Sequence, residues 1–343
     1  MLTQLATIRG QFKEVASIAF CPQGSWVAIG GLEAQEQGDQ GHPRVLVSWS
    51  LSTDPVQLLV TNAGVIHSLA FSPGGKYLLV GETRYDHTSG VRLVEVATGR
   101  DAFRFKGVEG SFYVVATSKR GNRIAMSTIG RTDIWDLKQA KRIDTIAGWR
   151  DAYPGQNLDR DKDEVCGLAF SPDGNRLVIV GSTVREDEYG KSLRRRGLIM
   201  VKEICGQPGT PHHINSHNLH AVAFSPDGAD LVVANHEGDV ELYGAATLQL
   251  AQRWPILEGL NAKPPAMGIA FHPDGRRVFA VGGGSGIFDT KQPGRIQIWD
   301  RSTGEKGFSI EVEWTVTALT LSPEGTRLVT AHEDGTVIAW AVE

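Results

Sequence analysis

Histidines are concentrated in one short segment of the chain. Four of the ten histidines lie between His212 and His220, in the segment HHINSHNLH. A zinc site needs three or four ligands that converge at about 2.0 to 2.3 Å on elements that hold them in place. A loop supplies the number of ligands without this geometry. We therefore interpret these histidines as exposed or loop-bonded side chains and predict no metal and no cofactor, with metal ligation as the alternative.

A second candidate for chemistry is the segment VREDEYGKSLRRRG, in which an acidic run precedes a basic one. If this segment is a hairpin, the run from Glu186 to Glu188 approaches the run from Arg194 to Arg196, and the charges neutralise each other. Alternatively, the arginines and Tyr189 form a cluster that binds carboxylates or phosphates of a partner. The sequence leaves both interpretations open.

The sequence contains no complete catalytic motif among those considered below. The glycine-rich segment Gly282 to Gly286 lacks the Lys-Ser/Thr pair of a P-loop. Neither an H-E-x-x-H motif nor a G-x-S-x-G elbow occurs. The carboxylates between Asp159 and Glu164 are interleaved with Arg160 and Lys162, which is typical of a solvated loop. We predict that the chain is not an enzyme and assign no catalytic residue.

Composition restricts the partners and the compartment. The chain has 343 residues, is 41% hydrophobic and carries a formal net charge of -4, so its overall field does not attract nucleic acid or anionic membranes. No apolar run is long enough to span a membrane, and no export signal is evident. The cysteines, Cys21, Cys166 and Cys205, are odd in number and widely spaced, as expected for reduced thiols. We expect a soluble, cytoplasmic protein without membrane or nucleic-acid partners.

An internal repeat defines the elements that position these residues. Segments such as VIHSLAFSPGGKYLLVG and VCGLAFSPDGNRLVIVG recur along the chain. Each predicts an apolar strand, a tight turn and a second strand, because Pro presets φ, Asp bonds backbone amides and Gly tolerates a positive φ. The turn glycines are spaced by 46 to 54 residues, at Gly24, Gly75, Gly121, Gly174, Gly228, Gly275 and Gly325. There are seven units, and the third, YVVATSKRGNRIAMS, is degenerate.

Each unit continues beyond the second strand. Segments such as RTDIWDL and RIQIWDR have the alternating character of a third strand. A fourth strand is implied by AKRIDTIAG and TLQLAQRWP. Forty glycines and fifteen prolines are consistent with many turns that join short strands, so the sequence predicts an all-β fold.

The repeat resembles the WD40 family over essentially the whole chain. The resemblance is carried by Trp135-Asp136, Trp299-Asp300, Trp340 and the recurrent FSPDG turns. It implies a single seven-bladed β-propeller over residues 1–343, with four antiparallel strands per blade around a central channel. Residues 1–10 look like an outer strand without its blade, so we expect them to complete blade seven and close the ring. The blades are expected to start near residues 15, 65, 112, 165, 219, 266 and 316.

Insertions are expected on one face of this propeller. The resemblance places the FSPDG turns on the bottom face and the connections between second and third strands on the top face. These top connections are long at residues 32–44, 82–90, 182–197 and 282–295, as are the loops into the next blade at 148–164, 207–218 and 255–266. Loops on a rigid scaffold often carry binding function, although tolerated surface insertion is the alternative. We favour a binding face at the top.

The resemblance also implies contact residues at the top mouth of the channel. The family commonly contacts peptides through the residue four before the FSPDG phenylalanine, and the residue two earlier contributes. Matching positions and loops give the predicted partner-binding residues His67, Tyr113, Glu164, Tyr189, Arg194, Arg195, Arg196, Asn218, His220 and Met267. Cys166, His220 and Met267 also form a set of soft ligands, but neighbouring first strands diverge around a ring and disfavour a copper site.

These observations favour a non-catalytic scaffold or adaptor that binds a protein or peptide on its top face. A propeller hydrolase or lactonase is the alternative from another class, because similar turns occur in enzyme propellers. A structural or sensing subunit of a larger complex is a third interpretation, since one propeller scaffold hosts many tasks.

Overall fold

The computed structural model describes most of the chain. The residues described are 1–33, 44–51, 57–60, 65–83, 90–105, 114–120, 122–128, 130–146, 164–186, 192–206, 209, 211–214, 218–256, 264–283 and 293–343. No helix in these ranges is long and apolar enough to cross a membrane.

Within the described ranges, twenty-eight strands form seven four-stranded antiparallel sheets, each of which is one blade. Blade one contains β2 (Phe12–Phe20), β3 (Val27–Glu33), β4 (Arg44–Trp49) and β5 (Gln57–Val60); blade two contains β6 (Val65–Phe71), β7 (Tyr77–Thr83), β8 (Gly90–Glu95) and β9 (Arg100–Arg104). Blade three contains β10 (Val114–Thr117), β11 (Arg123–Thr128), β12 (Arg131–Asp136) and β13 (Lys141–Ile146); blade four contains β14 (Glu164–Phe170), β15 (Arg176–Glu186), β16 (Ser192–Glu203) and β17 (His212–His213).

The remaining blades follow the same order. Blade five contains β18 (Leu219–Phe224), β19 (Asp230–Asn235), β20 (Asp239–Gly244) and β21 (Leu250–Pro255); blade six contains β22 (Ala266–Phe271), β23 (Arg277–Gly282), β24 (Gly294–Asp300) and β25 (Lys306–Val312). Blade seven contains β26 (Val316–Leu321), β27 (Arg327–His332), β28 (Val337–Val342) and β1 (Leu2–Ile8). The predicted all-β, seven-bladed architecture is confirmed.

The ring closes through the two ends of the chain. Strand β1 pairs antiparallel with β28, from Leu2 opposite Val342 to Ile8 opposite Val337. The Glu343 amide donates to the Met1 carbonyl at 3.0 Å and extends this ladder. The expected closing strand is therefore confirmed, and the edge of β28 that would otherwise offer unpaired backbone groups is covered.

Apolar side chains fill the space between neighbouring blades. The buried core of the described residues divides into seven clusters, each of which combines residues from two adjacent blades. Between blades five and six, for example, Trp254 and Trp299 stack with their ring centroids 5.7 Å apart. Each sheet is therefore buried on both faces, which explains why the second strands read as nearly continuous apolar runs rather than alternating ones.

Several third strands carry a buried polar residue between the blades. Arg92 of blade two is 5% exposed and forms ion pairs with Glu82 at 3.1 Å and Asp101 at 2.9 Å. In blade five, Glu241 accepts a hydrogen bond from the Tyr243 hydroxyl at 2.6 Å and pairs with Arg253 at 2.7 Å. Burial, with the hydrogen bond to Glu241, raises the pKa of Tyr243. These groups are stable between apolar faces because each charge has a partner.

The turns on the bottom face are linked to the turns of the next blade. The donors in one blade reach carbonyl groups of the next turn: Gln23 to Gly74 at 3.0 Å, Arg123 to Gly174 at 2.6 Å, and Arg176 to Gly228 at 2.9 Å. Between blades five and six the direction is reversed, because Arg301 reaches back to Asp227 at 2.9 Å and Asp230 at 2.6 Å. We call this set the turn ring.

Acid pH should weaken the link between Arg301 and Asp227. The Arg301 guanidinium, together with Ser225 and the Ala229 amide, holds the pKa of Asp227 well below its usual range. Because the pKa of Asp227 is lower in the folded than in the unfolded state, its carboxylate stabilises the fold fully above the unfolded-state pKa of about 3.9. This stabilisation is lost as the pH falls from that value through the folded-state pKa. Arg301→Gln should therefore reduce the loss of stability between pH 5 and pH 2, measured by urea unfolding. The exposed Arg100→Gln is the control, and an unchanged pH dependence in Arg301→Gln would contradict this linkage.

The buried arginine of blade two offers a test of the polar contacts between blades. Arg92→Met leaves the Glu82 carboxylate buried without its arginine, so we expect a loss of about 3 kcal/mol in the free energy of unfolding. Lys76→Met is the matched control, because Lys76 is 64% exposed where it pairs with Glu95 and should hardly affect stability. Equal shifts of the urea midpoint in the two variants would refute this account.

Candidate functional site

The first strands of the blades line the central channel. Each first strand packs against the first strand of the next blade, and β26 of blade seven packs against β2 of blade one. The turns after these strands define the bottom face of the described structure, and the connections between second and third strands define the top face. The channel therefore has a top mouth and a bottom mouth with different residues.

The predicted contact positions coincide with β-bulges. In each described case the register of the first strand skips one residue near the top mouth: Ala16, His67, Cys166, His220, Met267 and Thr317. A bulge interrupts the regular pairing of a strand and re-aims the side chain of the extra residue, which sets that side chain apart from the regular ladder. The resemblance placed these residues at the mouth, but the sequence did not reveal the bulges.

A glycine opposite the bulge explains how the irregularity fits. In blade four, a Cβ on Gly181 would collide with the Glu164 carbonyl. In blades one and six, Gly31 and Gly282 face the carbonyls of Glu14 and Pro265 in the same way. Glycines near the end of several second strands were the available sequence signal, because glycine in a strand often marks close backbone approach.

Two of the bulged residues are half-buried histidines with defined partners. His67 Nε2 lies 3.0 Å from Thr83 Oγ1 in blade two. His220 Nε2 lies 3.3 Å from His236 Nδ1 in blade five, with the ring centroids 5.6 Å apart. Burial, and then the nearby His236, lower the pKa of His220 from its ordinary value of 6.5 to about 4. His220 is therefore neutral at pH 7 and can offer a hydrogen-bonding nitrogen to a partner.

The structure describes Glu164, Asn218 and Met267 at or beside the starts of the first strands of their blades. Glu164 begins β14 opposite Ser182, and the Asn218 carbonyl accepts a hydrogen bond from the His236 amide at 2.9 Å. Met267 is half-buried at its bulge. Tyr113 and Tyr189 lie outside the described residues. The structure thus brings Asn218, His220 and His236 together in blade five.

The acidic and basic segment of blade four differs from the expected loop. Strands β15 and β16 continue beyond the blade as a ladder that pairs Thr183 with Arg196, Val184 with Arg195, and Glu186 with Ser192. The expectation of a loop over 182–197 is wrong for these strand residues, because no glycine or proline interrupts Thr183 to Glu186 and the backbone groups pair across the hairpin. Arg196 is exposed, and Arg194 lies in β16; residues 187–191 lie outside the described ranges. We call residues 183–196 the extended hairpin.

The histidine-rich segment also contains a strand where a loop was expected. His212 and His213 form the short strand β17, opposite Ile199 and Leu198, and are half-buried. Their assignment to a loop is wrong, because this segment supplies the fourth strand that blade four requires. His217 lies outside the described residues. Among the residues that the structure describes, no group of three or more His, Cys, Asp or Glu side chains is arranged to hold a metal ion.

A cavity at the bottom mouth had no counterpart in the sequence analysis. It has a volume of about 630 Å³ and is lined by residues of blades one, two, three, six and seven. Lys119, from the degenerate third repeat, lies on its wall. The available sequence signal was the degeneracy of that repeat, in which Thr117 and Lys119 replace the usual phenylalanine and proline.

The fold and the repeat define the class of the protein, a seven-bladed β-propeller. A family model described as "WD domain, G-beta repeat" matches residues 309–341. This segment runs from the outer strand β25 of blade six through the three inner strands of blade seven. The sequence repeat is thus offset from the blade by one strand, and the matched segment is a WD40 repeat within a seven-bladed β-propeller.

A second similarity also points to WD repeats. The chain is similar to an uncharacterized WD repeat-containing protein of Synechocystis sp., with 23% identity over 169 residues. The match covers 49% of this chain and 41% of the relative, so the chain spans less than half of the relative's length. This relative's description gives no substrate or partner.

The titration of His220 tests the environment at the top mouth. We expect its pKa near 4 by NMR, with the imidazole gaining a proton only in acid. His236→Asn removes the nearby ring charge and should raise the pKa of His220, while burial keeps it below 6.5. Because the folded-state pKa is depressed, His220 stabilises the fold above pH 6.5, and this stabilisation is lost as the pH falls toward 4. A His220 pKa at or above 6.5 in the intact protein would contradict the half-buried geometry.

Proposed function

We propose that this chain is a non-catalytic interaction scaffold that binds a protein or peptide on its top face. WD40 propellers generally act as protein-interaction scaffolds. The observation that carries the choice of face is the series of bulges, which turn His67, His220 and Met267 out of the regular ladder at one mouth of the channel. We place this activity in the cytoplasm.

The chemistry of these side chains suits a mixed partner surface. Neutral His220 offers a nitrogen for hydrogen bonding, and Met267 offers an adaptable apolar contact. The extended hairpin belongs to blade four, which neighbours blade five, and it carries the exposed Arg196 on the same face. Four strand residues rise about 13 Å along a strand, so Thr183 to Glu186 project well beyond the blade. A partner at the mouth would therefore also meet the hairpin.

An acidic partner segment fits this arrangement best. Arginine binds carboxylates with two parallel hydrogen bonds, which favours it at sites that recognise acidic groups. We infer that Arg194, Arg195 and Arg196 contact acidic residues of the partner, while the bulged residues contact its apolar and polar side chains. Most of the binding energy should come from a few of these contacts.

Replacement of the extended hairpin tests this proposal. Ser182 and Gly197 are paired, so a two-residue Asn-Gly turn can join them and remove residues 183–196 without disturbing the inner ladder. In a quantitative pull-down from native lysate, we expect partners retained by the intact chain to be lost from this variant. A second variant with His67, His220 and Met267 replaced by Ala should weaken retention of the same partners by at least about tenfold.

The control for both variants changes the opposite face. Lys76→Gln and Asp274→Asn alter charges in bottom turns and should leave partner retention unchanged, provided that all variants have the thermal stability of the intact chain. If the hairpin and mouth variants retain every partner of the intact chain, the proposed top-face site is wrong.

A further inference from the structure

The third repeat contributes residues to the wall of the bottom-mouth cavity that differ from those of the other repeats. Six of the seven first strands end in Phe or Leu, as in Phe20, Phe71, Phe271 and Leu321, whereas β10 ends in Thr117. The Thr117 hydroxyl donates to the Phe71 carbonyl at 2.6 Å, which fixes this shorter side chain against blade two. The equivalent Phe20 and Phe71 line the cavity and also belong to the clusters between blades, so blade three presents a smaller side chain at this point of the cavity wall.

The same repeat places a positive charge beside this space. Four of the lining turns contribute a proline, namely Pro22, Pro73, Pro273 and Pro323, whereas the turn of blade three has Lys119 at the matching position. Lys119 is the one charged residue among the described residues that line the cavity. The cavity thus combines mostly apolar walls with a single cation.

The remaining polar groups on the wall are largely engaged within the protein. Thr320 Oγ1 accepts a hydrogen bond from the Phe20 amide at 3.3 Å, and the Ser322 hydroxyl accepts one from the Arg327 amide at 3.1 Å. The Ser118 hydroxyl likewise lies 2.9 Å from the Arg123 amide. Specific recognition of a polar ligand group therefore depends mainly on Lys119.

We infer that the bottom mouth is a binding site for a small apolar monocarboxylate. The volume of about 630 Å³ lies within the range of small-molecule sites, which combine apolar walls with a few polar groups. The apolar body of the ligand would lie among Phe20, Phe71, Phe271 and Leu321, and its carboxylate would pair with the Lys119 ammonium. One cation matches a monoanion better than a phosphate dianion, because a dianion needs more donors when it leaves water. This site is separate from the proposed top-face partner site.

Calorimetric titration of the intact chain with 4-phenylbutyrate tests the inference. We expect saturable binding, and binding of the uncharged 4-phenylbutyramide should be about tenfold weaker because it lacks the charge-assisted contact. Lys119→Gln should reduce the affinity for the acid by a similar factor, and Lys119→Arg should restore most of it. Arg120→Gln is the matched control, because it removes the neighbouring charge of the same turn without touching the cavity wall.

A second variant tests the location through volume rather than charge. Thr117→Phe introduces the aromatic residue that most other blades have at this position, so it should fill the opening and abolish binding of 4-phenylbutyrate. Thermal unfolding verifies that the variant folds, and Thr117→Ser, which retains the hydroxyl and the space, should still bind.

Several outcomes would overturn the inference. These are no saturable binding up to millimolar 4-phenylbutyrate, equal affinity for acid and amide, or unchanged affinity in both Lys119→Gln and a folded Thr117→Phe. Tighter binding of phenyl phosphate would reject a monocarboxylate site. Binding of a peptide with a free C-terminal leucine, but not of 4-phenylbutyrate, would show that the mouth holds a chain end instead. None of these results depends on the top-face partner.

Discussion

Burial of each blade between two neighbours is the constraint on which the rest of this structure depends. A four-stranded sheet with two apolar faces is not stable alone, because it would expose on both sides the side chains that form the interblade clusters. The ring provides two neighbours for every blade only when it closes. The pairing of β1 with β28 therefore supports the fold as a whole, since it joins the blade that contains both ends of the chain.

Closure also limits where variation can occur. Side chains between blades must fill a space of nearly constant thickness, so buried charges such as Arg92 and Glu241 occur with partners from their own sheet. The turn ring holds the bottom ends of the blades in register through contacts that differ from one blade to the next. The ends of the strands are less constrained by packing between blades, and the sequence departs from the repeat at these ends.

The two mouths of the channel depart from the regular repeat in different ways. At the top, an extra residue in each described bulge turns a side chain out of the regular ladder. At the bottom, one repeat has Thr117 and Lys119 where other repeats have an aromatic residue and a proline, and both residues line the cavity. The top mouth thus differs from the regular repeat in its backbone, and the bottom mouth differs in its side chains. The clusters between blades keep the same arrangement around the ring.

The sequence by itself determined the number of blades, their order and the closing strand. The seven repeats follow from local signals, such as the turn at Gly174 and the apolar runs beside it, that recur at a regular spacing, and the ring with its closing strand follows from the resemblance of these repeats to the WD40 family. Only the tertiary structure decided that His212 and His213 belong to a strand, that residues 183–186 continue a ladder, and that His220 lies 3.3 Å from His236. The cavity beside Lys119 likewise depends on five blades that are distant in sequence. The physical reason is that register, bulges and cavities arise from contacts between strands, whereas turn chemistry and apolar periodicity are properties of consecutive residues.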